Sequence, residues 1–248
     1  MLVLLPPSET KSSGGQGPAL RLSGLSWPEL EPVRRRVADA LVGLAGDVPA
    51  SLSALGLSER QEDEVARNAR LWSAPTAPAL LRYTGVLFDA LGAREWGPVE
   101  WERAGRRLAV CSALFGLLRA TDRVPAYRLS AGSRLPGLPA PRTVWRPVLA
   151  PLLAGVEGLV VDLRSGAYAA FAPVPGAVTV RVLSEDAGGG RTVVSHHNKA
   201  HKGRLARVLA TAGTAPADIE GVTGLALAAG MRAEPVSDTA LDLVVPRG

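Results

Sequence analysis

Lys11, Lys199 and Lys202 are the only lysines among the 28 basic residues of this 248-residue chain; the other 25 are arginine. Asparagine occurs twice, at Asn68 and Asn198, and isoleucine once, at Ile219, the mark of GC-rich coding that drives exchangeable lysines to arginine. A lysine kept against that drift is a candidate for work a guanidinium cannot do. Of the two side chains, only lysine has a pKa able to fall into the nucleophilic or basic range.

Four clusters carry the candidate chemistry. Residues 6–11 read PPSETK, in which Ser8, Thr10 and Lys11 suit an anion and Glu9 suits a general base. The alternative there is an ordinary polar turn, and the segment does not match a GxxxxGK[ST] phosphate loop. Residues 112–135 read SALFGLLRATDRVPAYRLSAGSRL and gather Arg119, Asp122, Arg123, Tyr127, Arg128 and Arg134 in irregular chain. Arginine forks bind phosphates or carboxylates, and Asp122 suits acid–base work; the alternative is a solvated loop pinned by an Asp–Arg pair. Residues 195–207 read SHHNKAHKGRLAR and collect all three histidines, Asn198, two lysines and two arginines. His197 and His201 have helix-face spacing for a metal, but no HExxH glutamate is present and two lysines repel a divalent cation. An anion site, with Lys199 and Lys202 on one helical face, is the expectation; no metal or cofactor is expected. Residues 54–72 place Leu55, Gly56 and Leu57 at a corner between two helices, a helix-hairpin-helix pattern that would offer backbone N–H groups to a DNA phosphate. A plain helical corner fits equally, since Glu59, Glu62, Asp63 and Glu64 crowd the same place.

The elements that must position these clusters read as one mixed α/β domain over 1–248, a small mixed sheet surrounded by helices. LVLL (2–5) predicts a buried strand ended by Pro6-Pro7, followed by a Ser/Gly-rich loop. Helices are predicted over 28–45, 49–55, from Ser58 with Gln61 as capping-box partner, and over 78–91, 99–118, 144–154 and 199–211. GLVVDL (158–163) and the final DLVVP predict strands, and 177–183 with 192–196 predict a hairpin around the glycines at 188–190.

Composition narrows the class. The chain is 47% hydrophobic and 21% charged, with net charge +5, which excludes wholesale disorder. A lone Cys111 excludes a disulfide framework and any cysteine-rich metal site. The opening MLVLLPPSETK lacks a basic n-region, and no run of eighteen apolar residues occurs, so a soluble cytoplasmic protein without a membrane partner is expected.

Taken in order, LLPPSETK, RYTG (82–85), SALFGLLRATDRVPAYRLSAGSRL, VVDLRSGAY (160–168) and NKAHKGR (198–204) resemble the YaaA family of peroxide stress proteins, over nearly the whole chain. The resemblance implies a cytoplasmic protein of a mixed α/β fold peculiar to the family. It further implies a helix-hairpin-helix at about 48–72, binding to double-stranded and distorted DNA, and a role in limiting oxidative DNA damage. The positions it carries over are Arg119, Asp122, Tyr127, Arg128, Lys199, Lys202 and Gly203. It implies no particular reaction. His196, His197 and His201 are additions to the family's late motif.

Two functions follow as expectations. In the first, a cationic cleft binds DNA, with Leu55, Gly56, Leu57, Arg204 and Arg207 as further contacts. In the second, the chain is an enzyme for a small anionic nucleotide or nucleobase-type substrate. Lys199, Lys202, Asp122 and Tyr127 would then be catalytic, and Ser8, Lys11, Arg119, Arg128, Asn198, Gly203 and Arg204 would bind the anion. Both require Arg119, Asp122, Tyr127 and Arg128 to converge in space with Lys199 and Lys202.

Overall fold

The computed structural model describes residues 1–194 and 198–246. The chain runs β1 (Leu2–Leu5), β2 (Gly17–Ala19), α1 (Glu31–Leu44), α2 (Val48–Leu55), α3 (Glu62–Ala69), β3 (Pro75–Pro78), α4 (Ala79–Arg82) and α5 (Val86–Leu91). It continues through α6 (Pro98–Arg107), β4 (Leu108–Ser112), β5 (Gly116–Arg119), β6 (Arg123–Val124), α7 (Pro141–Ala154), β7 (Val160–Asp162) and α8 (Gly166–Ala169). The last elements are β8 (Val178–Glu185), β9 (Arg191–Val193), α9 (Asn198–Thr211), α10 (Ile219–Ala228), β10 (Arg232–Ser237) and β11 (Ala240–Pro246). This is an α/β fold built on an eight-stranded mixed sheet, with a separate three-stranded sheet of β2, β3 and β6.

The main sheet is ordered β10-β11-β8-β7-β1-β4-β5, with β9 paired to β8. Its interior pairs are parallel and its edges antiparallel. All four residues of β1 are buried, because the strand lies inside the sheet between β4 and β7 with α6 and α9 packed on it. Proline lacks the N–H that would extend the ladder, so β1 stops at Pro6-Pro7. β1 lies between β4 and β7, so the chain leaves it first to one side and later to the other. Such a reversal opens a crevice at the carboxyl ends of the strands.

Local signals explain the helices. α1 buries Val37, Ala38, Leu41 and Leu44 at spacings of three and four. The Asp47 carboxylate caps α2 by accepting from the Ala50 N–H at 3.0 Å. Gln61 accepts from the Ser58 N–H at 3.1 Å, the capping box its spacing predicts.

Two expectations are corrected, and one strand appears that none covered. The helix over 99–118 ends at Arg107, and Leu108–Arg119 folds as the β4–β5 hairpin, with every residue of β4 buried. An apolar run buried on all sides has no period to distinguish helix from strand. The helix over 78–91 breaks into α4 and α5, because Tyr83 is extended and Gly85 has φ 97°. β10 was not foreseen: RAEPVS is polar and contains Pro235, as an edge strand permits. The expected hairpin is present as β8 and β9, although Ser195 and His196 at the end of its predicted second strand lie outside the described residues.

Buried arginines pin the irregular segments. Arg34 donates to the carbonyls of Ser26, Trp27, Phe115 and Leu117, and Arg82 to those of Ser12, Gly14, Pro75 and Val124. Each guanidinium thus satisfies backbone acceptors that no ladder reaches. No helix among the described residues is long and apolar enough to cross a membrane.

Candidate functional site

Four segments meet around a cleft of ≈ 640 Å³ where β1 and β7 end. Pro6–Thr10 leaves β1; Leu163, Ser165 and Tyr168 leave β7; Thr84–Phe88 leads into α5; Asn198, Lys199 and Lys202 come from the first turns of α9. Lys199 and Lys202 are three apart, so one face of α9 presents both ammonium groups to the same space. Lys199 is exposed and Lys202 half-buried. Burial lowers the Lys202 pKa, and the negative charge of Asp162 opposes that shift. Asp162 is oriented by Arg164, whose Nε and Nη2 donate to its two oxygens at 2.9 and 2.6 Å.

The wall after β1 is held at several points. Ser8 Oγ donates to the Thr10 carbonyl and accepts from the Thr84 N–H at 3.1 Å. The Thr10 and Thr84 hydroxyls are 3.1 Å apart. The Glu9 carboxylate, at the cleft, accepts from Arg128 Nη2 at 2.6 Å. Behind this wall, Lys11 donates to the carbonyls of Ser8 and Glu9 at 2.9 and 3.0 Å. Its ammonium lies 4.3 Å from the Tyr127 ring centroid and 5.4 Å from that of Tyr83. Burial, then the neighbouring Arg128, pushes the Lys11 pKa down to about 7. The Tyr127 hydroxyl bonds to Tyr83 and to Ser112, both at 2.7 Å, and burial raises the Tyr127 pKa well above its ordinary value.

The single convergent site therefore divides. Ser8, Asn198, Lys199 and Lys202 line the cleft, with Arg128, Lys11 and Tyr127 joined to it through Glu9 and the Ser8–Thr10 wall. Arg119 and Asp122 are not among its lining residues. The Asp122 carboxylate accepts from the Ser26 N–H and hydroxyl and from the Arg119 N–H, so it clamps a turn. The Arg119 guanidinium stacks 4.5 Å from the Trp27 ring and donates to the Arg106 carbonyl. Gly203 is buried against α5, where a side chain would run into the Leu87 carbonyl oxygen. Its place is one of helix packing. Arg204 is exposed on α9, and Arg207 pairs with Glu95 at 3.0 Å.

At the 55–57 corner, Gly56 ends α2 with φ 64°. The Gly56 N–H donates to the Ser53 carbonyl and the Leu57 N–H to the Leu52 carbonyl, so these two donors are engaged within the corner itself. Among the described residues no three His, Cys, Asp or Glu gather as a metal site; His196 and His197 lie outside those residues. The contributions of Thr84 and Tyr168 were missed. Their only signal was a polar break following an apolar stretch, in RYTG and in VVDLRSGAY.

Comparison with known proteins covers these segments. A family model described as peroxide stress protein YaaA matches residues 1–228. A UPF0246 protein of Corynebacterium efficiens is 49% identical over 238 residues, spanning 94% of this chain and 95% of its own. Another from Corynebacterium glutamicum is 45% identical over 251 residues, spanning 99% and 100%. One from Streptomyces coelicolor is 48% identical over 224 residues, spanning 87% and 85%. All four segments of the cleft fall inside the matched span, and the chain belongs to the YaaA (UPF0246) family of peroxide stress proteins.

Proposed function

We propose that the protein serves the peroxide stress response in the cytoplasm by binding DNA through this cleft and so limiting oxidative damage to it. The observation that supports this is the meeting of Asn198, Lys199 and Lys202 with the Thr10 hydroxyl at the crevice where β1 and β7 end. Two ammonium groups and neutral donors around one cleft are complementary to a phosphate. At ≈ 640 Å³ the cleft accepts a nucleotide and not a duplex, so the favoured target is DNA with a locally opened strand. The test is fluorescence anisotropy with a fluorescein-labelled bubble duplex, an intact duplex and a mononucleotide competitor, across a salt series. The bubble duplex is expected to bind best, with log affinity falling linearly against log salt. Lys199→Ala and Lys202→Ala should each weaken binding, while Lys→Arg should preserve it. Affinity that is flat with salt, or unchanged in both alanine variants, refutes the proposal.

A second function, catalysis on a small nucleotide-type anion, is favoured by one observation: burial lowers the Lys202 pKa while the Glu9 carboxylate stands at the same cleft. A lysine that must shed its proton cannot be replaced by a guanidinium. Loss of turnover in Lys202→Arg, with salt-dependent DNA binding intact, would select catalysis.

A further inference from the structure

Lys11 is the most enclosed of the three lysines, 7% exposed, and is not part of the cleft lining. No carboxylate pairs with it among the described residues; the nearest candidate in sequence, Glu9, is taken by Arg128. A buried ammonium without a counter-ion is costly, and an apolar side chain of the same length would fill the space without that cost. Its partners are all fixed. From the β1 loop come the carbonyls of Ser8 and Glu9, and from the chain after α4 comes the Tyr83 ring. From the segment after β6 come the Tyr127 ring and the Arg128 guanidinium, and from α3 the more distant charges of Glu64 and Arg67. The hydrogen bonds among Tyr83, Tyr127 and Ser112 stop both rings from turning away.

We propose that Lys11 is the positioning residue of the cleft, its ammonium drawing the Ser8 and Glu9 carbonyls inward so that the wall facing Lys199 and Lys202 presents hydroxyls. The consequence is electrostatic. A carbonyl oxygen turned into the cleft would repel an anion; with the Ser8 and Glu9 oxygens turned onto Lys11 and the Thr10 oxygen held by the Ser8 hydroxyl, the Thr10 hydroxyl is left at the cleft. Two acceptors converging on one atom above a ring face fit a point charge and not a planar fork of five donors. That explains a lysine kept at position 11 in a chain that uses arginine at 25 of its 28 basic positions. The pKa near 7 gives the device a proton dependence: the neutral amine keeps two donors but loses its attraction to the rings. This inference rests on the cleft being the DNA site.

The experiment uses the full chain and the fluorescein-labelled bubble duplex. Lys11→Met keeps the length of the stem and removes the ammonium. It should fold, expose the 6–12 segment to faster amide exchange without DNA, and weaken DNA binding about tenfold at pH 6.5. Wild-type affinity should fall as pH rises from about 6 to about 8.5, and the variant should lack that component of the fall. The difference between the two proteins cancels titration of His201 and of the other histidines. Lys11→Arg should not rescue. Should Lys11→Met fail to fold, the wild type decides alone: with ¹³C-lysine, Lys11 gives one of three ¹³Cε signals. Its titration midpoint should rise by about half a unit or more when DNA saturates the protein, because the charged form binds better. An unmoved midpoint, or a Lys11→Met variant with wild-type affinity, pH profile and exchange, overturns the proposal. If wild-type protein ignores DNA while Lys11→Met still loosens residues 6–12, the DNA reading fails and the positioning role stands.

Discussion

Replacing Gly203 by alanine tests the closest approach in the site. Alanine in a helix is favoured over glycine by about 1 kcal/mol, so propensity alone predicts a more stable protein. The geometry predicts the reverse. A Cβ at Gly203 would lie 2.9 Å from the Ala90 Cβ and 3.1 Å from the Leu87 carbonyl carbon, and nearer still to the Leu87 oxygen. Ordinary carbon contacts begin near 3.5 Å, so α5 must retreat by roughly half to one ångström. Overpacking of that kind costs about 1–3 kcal/mol, and a backbone obstacle that cannot swing aside places the cost at the upper end. The net expectation is a loss of about 1–2 kcal/mol, or roughly 2–8 °C in midpoint for a chain of this size. α5 and α9 carry adjoining walls of the cleft, so the same displacement should also weaken DNA binding. Urea titration followed by circular dichroism reads the first effect and anisotropy the second. A Gly203→Ala protein as stable as the parent would refute the packing argument, and Gly203 would return as a candidate ligand contact.

Asp122→Ala removes three hydrogen bonds to a buried carboxylate and should cost about 3 kcal/mol in a denaturant titration while leaving DNA affinity unchanged. Lost affinity without lost stability would restore Asp122 to the site. Gly56→Ala should cost about 1 kcal/mol because φ is 64°, again with DNA binding intact, since the corner's two N–H groups are spent on α2; weakened binding would make the corner a phosphate contact. Lys11 binds its proton more weakly folded, near 7, than unfolded, near 10.5. The unfolded chain therefore holds more protons between those values, and stability should rise with pH across that window. Lys11→Met, having no proton to shed, should lack the rise; equal pH curves for the two proteins would show that Lys11 is not buried as a cation.

What was legible depended on range. The capping pair Ser58 and Gln61, the buried strand before Pro6 and the shared face of Lys199 and Lys202 are signals contained within a few residues, and all three are present. Leu108–Leu118 was misread because a segment buried all round loses the alternation that marks a strand. The small sheet of GPA, PTAP and RV carries no strand pattern and exists because distant loops meet. Charge density around Arg119 and Asp122 suggested chemistry, but density does not fix direction. The Asp122 oxygens turn toward backbone N–H groups near Trp27, and the arginine lies flat on that ring. The joining of Thr84 to Ser8 is likewise a product of folding, since neither residue carries a local signature.

The central place of β1 has a kinetic consequence. Val3 pairs with Leu108 on one side and Val161 on the other, so β1 waits for both β4 and β7 to be made before its ladder closes. Pairings of such sequence separation form late, because the loop entropy is spent before the contact rewards it. The cleft is later still, as one wall follows residue 5 and another begins at residue 198. A nascent or truncated polypeptide lacking α9 therefore lacks the wall that bears Lys199 and Lys202. The proposed anion site is thus complete only once α9 has joined the segments that follow β1 and β7.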